Sequence, residues 1–236
     1  MSQAIAELDD RQREVREWFD DVYATRGLAY LRPPEAYPIF LQLLGARAGQ
    51  RVLDIACGPG LLLRAARERE MHATGVDLSS VAVGMVPRVA PGARALQANA
   101  QHMPFADASF DYVTCIGSLE RFLDRRAALR EMQRVAAPGA RLCLMVRNAR
   151  TFTWRVLTEW RGKVNHRGHQ DAATLEAWTQ LFAECGLRVA AVYPDQWFWQ
   201  KWRNRVFGKP GPEEPVVRRR VPLAFANEFI FVLERV

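Results

Sequence analysis

The sequence predicts an α/β fold in which short parallel strands alternate with helices around one sheet. Apolar stretches with an acid or amide at or near their ends recur at 51–56, 72–77 and 94–98, and helical segments follow the first two. Two glycines, Gly58 and Gly60, come directly after the first stretch. Strands covered on both faces are typically short, nearly continuous apolar runs. The 236 residues, 49% of them hydrophobic, suffice for a single domain spanning 1–236.

The other elements are predicted from apolar spacing and from turn residues. An amphipathic helix is expected at 8–24, followed by a break at Gly27, and Pro138 and Gly139 form a turn before the fifth strand. The full set of predicted elements is helices 8–24 and 36–46, strands 51–56, 72–77, 94–98, 110–116 and 140–147, helix 171–185, strand 187–193, and a last strand within LAFANEFIFVLERV.

The run RVLDIACGPG combines a strand, a glycine turn and the start of a helix. Glycine lets the backbone turn with positive φ or approach a ligand closely, and a helix start offers free N–H groups. A dinucleotide fingerprint would need a third glycine where Leu63 stands, so the run does not indicate NAD. Its DxxxGxG spacing resembles the first motif of class I S-adenosylmethionine-dependent methyltransferases. This resemblance implies that Asp54, Ala56, Gly58 and Gly60 lie at the cofactor; an ordinary strand-to-helix turn is the alternative.

Asp77 ends the second predicted strand, about 20 residues after the glycines, and Leu78 follows it. A carboxylate has two acceptor oxygens and can therefore accept hydrogen bonds from both ribose hydroxyls. We expect Asp77 and Leu78 to contact S-adenosylmethionine. The alternative is an Asp that only caps the helix starting near Ser80.

Asn99 and Ala100 follow the third strand and precede HMPF. In the methyltransferase family this segment usually reads GDAExLPF, with the acid contacting the adenine amine. The side-chain carbonyl of Asn99 can accept the same hydrogen bond. The alternative is an Asn that stabilises a turn.

The family's later motifs match the next part of the chain. This part begins with DASFD and the strand ending at Ile116, and it continues through GSLERFLD and RAALREMQRVAAPGARLCLMVRN. The resemblance implies a Rossmann-like seven-stranded sheet of order 3-2-1-4-5-7-6, with strand 7 antiparallel and helices on both faces. It also places Ile116 at the cofactor. Related sequences often read GSLEHF, so Arg121 stands where a His is common, and no catalytic role is assigned to it. We expect Glu120 to face the cleft; a solvated acid near a helix N-terminus is the alternative.

The N-terminal residues 1–48 resemble the lid helices that cover the cofactor in this family. Within WFDDVYATRGLAYLRP, Tyr23 and Tyr30 are expected to hydrogen-bond ligand atoms. The alternative is that both rings pack while their hydroxyls stay in water.

The loop 148–170 follows the fifth strand at the sheet edge where ligands of open α/β sheets bind, and it holds His166 and His169. An oxygen acceptor needs a base, and a histidine near its usual pKa can supply one. We predict His166 or His169 as the base, oriented by Asp171 or Glu120. A plain solvated loop is the alternative. The two histidines lack an accompanying acid or cysteine cluster, so no metal site is predicted.

The segment 195–222 is basic and aromatic where a short hairpin would suffice. Seven Lys or Arg and two Glu lie within 200–220, a large share of the formal net charge of +7. Such a stretch could bind an anionic group on the acceptor, nucleic acid or a membrane surface. A helical cap or a homodimer contact is the alternative.

No apolar run approaches the ~20 residues that span a bilayer, and the N-terminal residues lack the pattern of a signal peptide. We therefore expect a cytoplasmic protein, and the four scattered cysteines are expected to be reduced. The motifs YLRP, GSLERF, VRN and QDAATLEAW resemble the ubiquinone-biosynthesis-like branch of small-molecule and glycan methyltransferases. This predicts methyl transfer to a hydroxyl of a small-molecule or saccharide-like acceptor by in-line displacement. The alternatives are an RNA methyltransferase that uses the basic insert and a non-catalytic S-adenosylmethionine-binding subunit.

Overall fold

The computed structural model describes residues 8–151, 167–168, 171–195, 197 and 222–235. Short 3-10 turns at Gly27–Tyr30, Pro34–Ala36, Leu119–Arg121 and Leu223–Phe225 connect the longer elements. The helices and strands in chain order are α1 (Asp10–Arg26), α2 (Pro38–Leu44), β1 (Arg51–Ile55), α3 (Leu61–Arg67), β2 (His72–Asp77), α4 (Ser80–Val89), β3 (Arg94–Gln97), β4 (Phe110–Ile116), α5 (Arg125–Val135), β5 (Ala136–Arg147), α6 (Leu175–Glu184), β6 (Leu187–Pro194) and β7 (Glu228–Arg235).

The seven strands form one sheet of order β3-β2-β1-β4-β5-β7-β6. β1 pairs in parallel with both β2 and β4, and β7 runs antiparallel between β5 and β6. The predicted fold class and strand order are therefore confirmed.

Helices cover both faces of the sheet because successive strand residues point to opposite sides. Leu53 and Ile55 of β1 belong to the apolar cluster that contains α5 and α6, whereas Val52 belongs to the cluster that contains α2 and α3. The two clusters bury both sides of the central strands. They fix the carboxyl ends of β1, β2 and β4 as a rigid edge on which a site can be built.

Two predicted boundaries differ from the structure by four residues, and the other predicted boundaries differ by at most two. The fifth strand begins at Ala136, which pairs with Phe110; the register then shifts, so the Pro138–Gly139 turn lies inside the strand as an irregularity. The last helix begins four residues later than predicted, since the Thr174 side chain accepts a hydrogen bond from the backbone N–H of Ala177 and caps it.

Among the described residues, none of the helices combines the length and the apolar character needed to cross a membrane. The histidines of the predicted loop cap and nearly all of the basic insert lie outside the described residues.

Candidate cofactor site

An open cavity lies at the carboxyl edge of the sheet, beside the ends of β1 to β4. Ligands of open α/β sheets bind at this edge. The predicted site residues that line it are Tyr23, Ala56, Asp77, Leu78, Asn99 and Ala100. Residues from α1 and from the segment after β4 close its other sides.

Asp77 joins the glycine turn to the start of α4. One carboxylate oxygen accepts from the backbone N–H of Gly58 at 2.7 Å and the other from that of Ser79 at 2.8 Å. Burial raises the pKa of Asp77 to about 6, and these two hydrogen bonds act against that rise. Since an ionised carboxylate offers about four lone-pair positions, two acceptor positions remain for a ligand. The contact of Asp77 with the two hydroxyls of a ribose stays a prediction.

Of the other predicted cofactor residues, Asp54, Gly58, Gly60 and Ile116 do not line the cavity. Asp54 is buried behind it and accepts from the Thr114 hydroxyl at 2.7 Å; burial raises its pKa to about 7. Gly60 precedes α3 with φ of +93°, a conformation that favours glycine. Ile116 packs against the core cluster on the α2 and α3 side. These residues shape the turns around the cavity rather than its wall.

The two predicted lid tyrosines take different positions. Tyr23 is buried and lines the cavity, and its hydroxyl lies 2.9 Å from where a Cβ on Gly58 would stand. A side chain at Gly58, whose φ is +53°, would therefore collide with this hydroxyl. Tyr30 does not line the cavity; it packs edge-to-face on Tyr23, with ring centroids 6.0 Å apart. Its hydroxyl accepts a hydrogen bond from Arg121 at 3.4 Å.

Two side chains that the sequence did not single out attach α1 to the cavity edge. The Asp20 carboxylate accepts from the Ser79 hydroxyl at 2.6 Å and from the Val81 N–H at 3.2 Å. Gln12 donates to the side chain of Gln101 at 2.9 Å. No local pattern marks these contacts, because their partners are far apart in sequence. They hold the predicted lid helix over the ends of β2 and β3.

Asn99 both lines the cavity and stabilises a turn. Its side-chain oxygen accepts from the backbone N–H of Gln101 at 3.0 Å, as the turn alternative predicted. A carboxamide oxygen has a second lone pair, so this contact leaves room for a hydrogen bond from an adenine amine.

The cavity wall also includes residues that sequence reasoning did not assign to the site, chiefly Phe19, Ser118, Arg121 and Phe122. Phe19 lies within the amphipathic helix predicted at 8–24. The others belong to the GSLERF motif, which was the available signal for them. They close the side of the cavity that lies next to the end of β4.

Glu120 does not face the cleft as predicted. Its side chain is fully buried and absent from the cavity wall, and neither carboxylate oxygen has a hydrogen-bond partner in the described part of the chain. Arg147 Nε lies 4.0 Å from Glu120 Oε1, and Arg147 also pairs with Glu228 at 3.4 Å. Burial, followed by the charge of Glu228, raises the pKa of Glu120 to about 7. A 3-10 turn places Glu120 inward and its neighbour Arg121 into the cavity.

The predicted bases, His166 and His169, lie outside the described residues. Asp171, proposed as their orienting partner, pairs with Arg125 at 2.9 Å, and its N–H donates to the carbonyl of Glu120. Over the described ranges, no three His, Cys, Asp or Glu side chains are grouped so that they could hold a metal ion.

Comparison with known proteins identifies the family. The methyltransferase domain family matches residues 24–192. A demethylmenaquinone methyltransferase of Renibacterium salmoninarum is 32% identical over 152 residues, which are 62% of this chain and 64% of the relative. The O-methyltransferase rstn1 of Aspergillus nomiae is 38% identical over 108 residues, 43% of this chain and 48% of the relative. The matched regions thus span 48% to 64% of these two curated relatives.

A solved structure supports the fold. Geranyl diphosphate C-methyltransferase from Streptomyces coelicolor A3(2) superposes with a TM-score of 0.70 over 98% of this chain and 100% of that chain, at 15% identity. At this identity the likeness concerns the fold alone. The family match covers most of the chain, including the glycine turn, Asp77 and the GSLERF segment. The chain belongs to the methyltransferase domain family, as its motifs predicted.

Proposed function

We propose that this protein transfers the methyl group of S-adenosylmethionine to a hydroxyl of a small-molecule or saccharide-like acceptor. The observation that carries the proposal is the single cavity in which Ala56, Asp77 and Asn99 meet the covering helix α1. Relatives described as O-methyltransferases support a hydroxyl on a small molecule.

The cavity wall supplies contacts for each part of the cofactor. Asp77 is proposed to accept from the ribose hydroxyls and Asn99 from the adenine amine, while Leu78 and Ala100 contact the adenine ring. Gly58 lets the Tyr23 hydroxyl approach the turn closely, and Tyr23 and Ala56 are proposed to contact the methionine part. When bound, S-adenosylmethionine supplies an electrophilic methyl group on a sulfonium sulfur.

The acceptor is proposed to enter beside the segment that follows β4. There Phe19 and Phe122 exclude water, and the walls hold the acceptor oxygen in line, about 3 Å from the methyl carbon. His166 or His169 is proposed to remove the hydroxyl proton. Glu120 is buried away from the cavity, so its proposed role is to position the 3-10 turn rather than to touch the acceptor. A cytoplasmic location and a homodimer stay predictions.

The test of this proposal incubates the protein with an extract of the source organism and S-adenosylmethionine that carries a radiolabelled methyl group. The extract is then separated into small-molecule, glycan, lipid and RNA fractions, and the label in each fraction is measured. We expect label in the small-molecule or glycan fraction, and we expect Asp77→Asn to reduce it at limiting S-adenosylmethionine. Label in RNA alone would reverse the acceptor class. Tight binding of the cofactor without label in any fraction would indicate a non-catalytic binding subunit.

A further inference from the structure

Arg121 places a positive charge in the cavity wall, at a point where three segments meet. Its guanidinium lies over the rings of Trp18 and Phe19, 5.9 and 5.4 Å from their centroids. Nη2 donates to the Tyr30 hydroxyl at 3.4 Å, and Nη1 donates to the carbonyl of Gly168 at 3.3 Å. The lid, the segment after β4 and the end of the loop 148–170 therefore converge on this cation.

No carboxylate of the described residues pairs with Arg121, although nearby arginines have such partners. Arg125 pairs with Asp171 at 2.9 Å, and Arg147 pairs with Glu228 at 3.4 Å. A guanidinium stays charged at physiological pH and has five N–H donors. Two long hydrogen bonds to neutral oxygens therefore leave other N–H donors available to a ligand. Arg121 acts on the buried Glu120 through its charge but forms no direct ion pair with it. A half-buried guanidinium without a directly paired carboxylate is stabilised by an anionic ligand.

The surrounding wall favours an anion carried on an apolar body. Phe19, Tyr23, Phe122 and Leu123 line the cavity together with Arg121. Such a wall excludes water and so strengthens a charge-assisted hydrogen bond, and the planar fork of a guanidinium matches the two oxygens of a carboxylate. Arg121 is the sole cation among the described residues that line the cavity, which matches a single negative charge better than a phosphate dianion.

We propose that Arg121 binds a carboxylate of the acceptor, so that the enzyme selects acidic acceptors with an aromatic or similarly flat apolar body. The proposal rests on the proposed function, since it takes this cavity as the place where acceptor and cofactor meet. A carboxylate could also come from the methionine part of the cofactor. We favour the acceptor, because Arg121 follows β4 and contacts Gly168, at the end of the loop in which the acceptor's base is proposed.

The experiment titrates 4-fluorobenzoate and its neutral counterpart 4-fluorobenzamide onto protein saturated with S-adenosylhomocysteine. Fluorine NMR measures the binding affinity of each compound. We expect 4-fluorobenzoate to bind the wild type about tenfold or more tightly than Arg121→Gln, with Arg121→Lys in between. Binding of 4-fluorobenzamide should be equal in all three proteins, which also shows that the variants are folded.

Arg126→Gln is the matched control. Arg126 lies on the exposed face of α5 and pairs with Glu184, so this variant loses the same charge outside the cavity. It should bind 4-fluorobenzoate as the wild type does. Equal affinity of Arg121→Gln and wild type for 4-fluorobenzoate, or no binding to the wild type, would overturn the proposal.

Calorimetry of the cofactor separates the two sources of the carboxylate. 5′-Methylthioadenosine lacks the carboxylate of S-adenosylhomocysteine. If Arg121→Gln weakens binding of S-adenosylhomocysteine but leaves the affinity for 5′-methylthioadenosine unchanged, Arg121 binds the carboxylate of the cofactor and the acceptor assignment is overturned. Equal affinity for S-adenosylhomocysteine in both proteins supports the acceptor. Failure of the wild type to bind S-adenosylhomocysteine would instead contradict the proposed function, and this result is obtained before any fluorobenzoate is added.

Discussion

Asp77 shows how one side chain can both order a site and leave capacity for a ligand. The N–H groups of Gly58 and Ser79 donate to its two oxygens, so the carboxylate ties the turn after β1 to the start of α4. The same carboxylate lines the cavity. Its charge is therefore stabilised by the backbone before any cofactor is bound, which is the preorganisation that favours binding.

Asp77→Asn should weaken S-adenosylmethionine binding about tenfold or more. The carboxamide keeps the size of the side chain but replaces one acceptor with a donor, which would face the N–H of Gly58 or Ser79. Calorimetry of the cofactor with a parallel melting curve measures this effect. Asp107→Asn, at an exposed acid outside this cavity, is the control. Unchanged affinity in a folded Asp77→Asn protein would remove Asp77 from the cofactor site.

At the scale of elements, the contact between α1 and α4 determines how the lid is held. Asp20 of α1 accepts from Ser79 and Val81, at the N-terminus of α4, where unsatisfied N–H groups favour a negative charge. The adjacent Asp21 is exposed, and no hydrogen bond of its side chain to another element is observed in the described part of the chain. Separate substitution of Asp20 and of Asp21 therefore isolates the contribution of the α1–α4 contact to the stability of α1.

Asp20→Ala should speed amide hydrogen exchange across Asp10–Arg26 about tenfold, because the free energy of opening α1 falls by the value of a charge-assisted hydrogen bond. It should also weaken cofactor binding, since Tyr23 on the same helix covers Gly58. Asp21→Ala serves as the control for helix propensity and charge. Identical exchange of α1 in the two variants would show that the contact does not hold the lid.

For the whole molecule, three buried carboxyl groups make stability depend on pH. Burial raises the pKa of Asp54 and Glu120 to about 7 and that of Asp77 to about 6. Between their unfolded and folded pKa values the native state binds more protons than the unfolded state, so the free energy of unfolding falls as pH rises. Asp111 and Glu131, whose pKa values are lowered, are ionised in both states above about pH 5 and add no slope there.

The free energy of unfolding of the ligand-free protein should therefore decrease from pH 5 to pH 8, and the decrease should be smaller in Glu120→Gln. A neutral amide cannot ionise, so the Glu120 part of the pH dependence disappears. Urea unfolding at a series of pH values measures both slopes. Glu68→Gln changes an exposed partner of Arg64 on the surface and should leave the wild-type slope intact. A parallel pH dependence in Glu120→Gln and wild type would contradict the buried state of Glu120.

The sequence alone determined the elements and much of the cavity wall. Apolar runs ending in an acid or amide predicted β1 to β3, and Asp77 and Asn99, which follow two of these runs, were each predicted as contacts of the cofactor. The strand order came from the resemblance of the glycine turn and the GSLERF segment to a known family. The prediction of the elements succeeds because it depends on local spacing, which alternation and turn chemistry translate directly into geometry.

Only the tertiary structure decided which neighbouring side chains enter the cavity and which are buried behind it. Glu120 and Arg121 are adjacent, yet the 3-10 turn directs one inward and the other into the cavity wall. The attachment of α1 through Asp20 joins residues that are 59 positions apart in the chain. Such contacts depend on how distant elements pack. Packing is set by the shape of the whole core, and no short stretch of sequence encodes it.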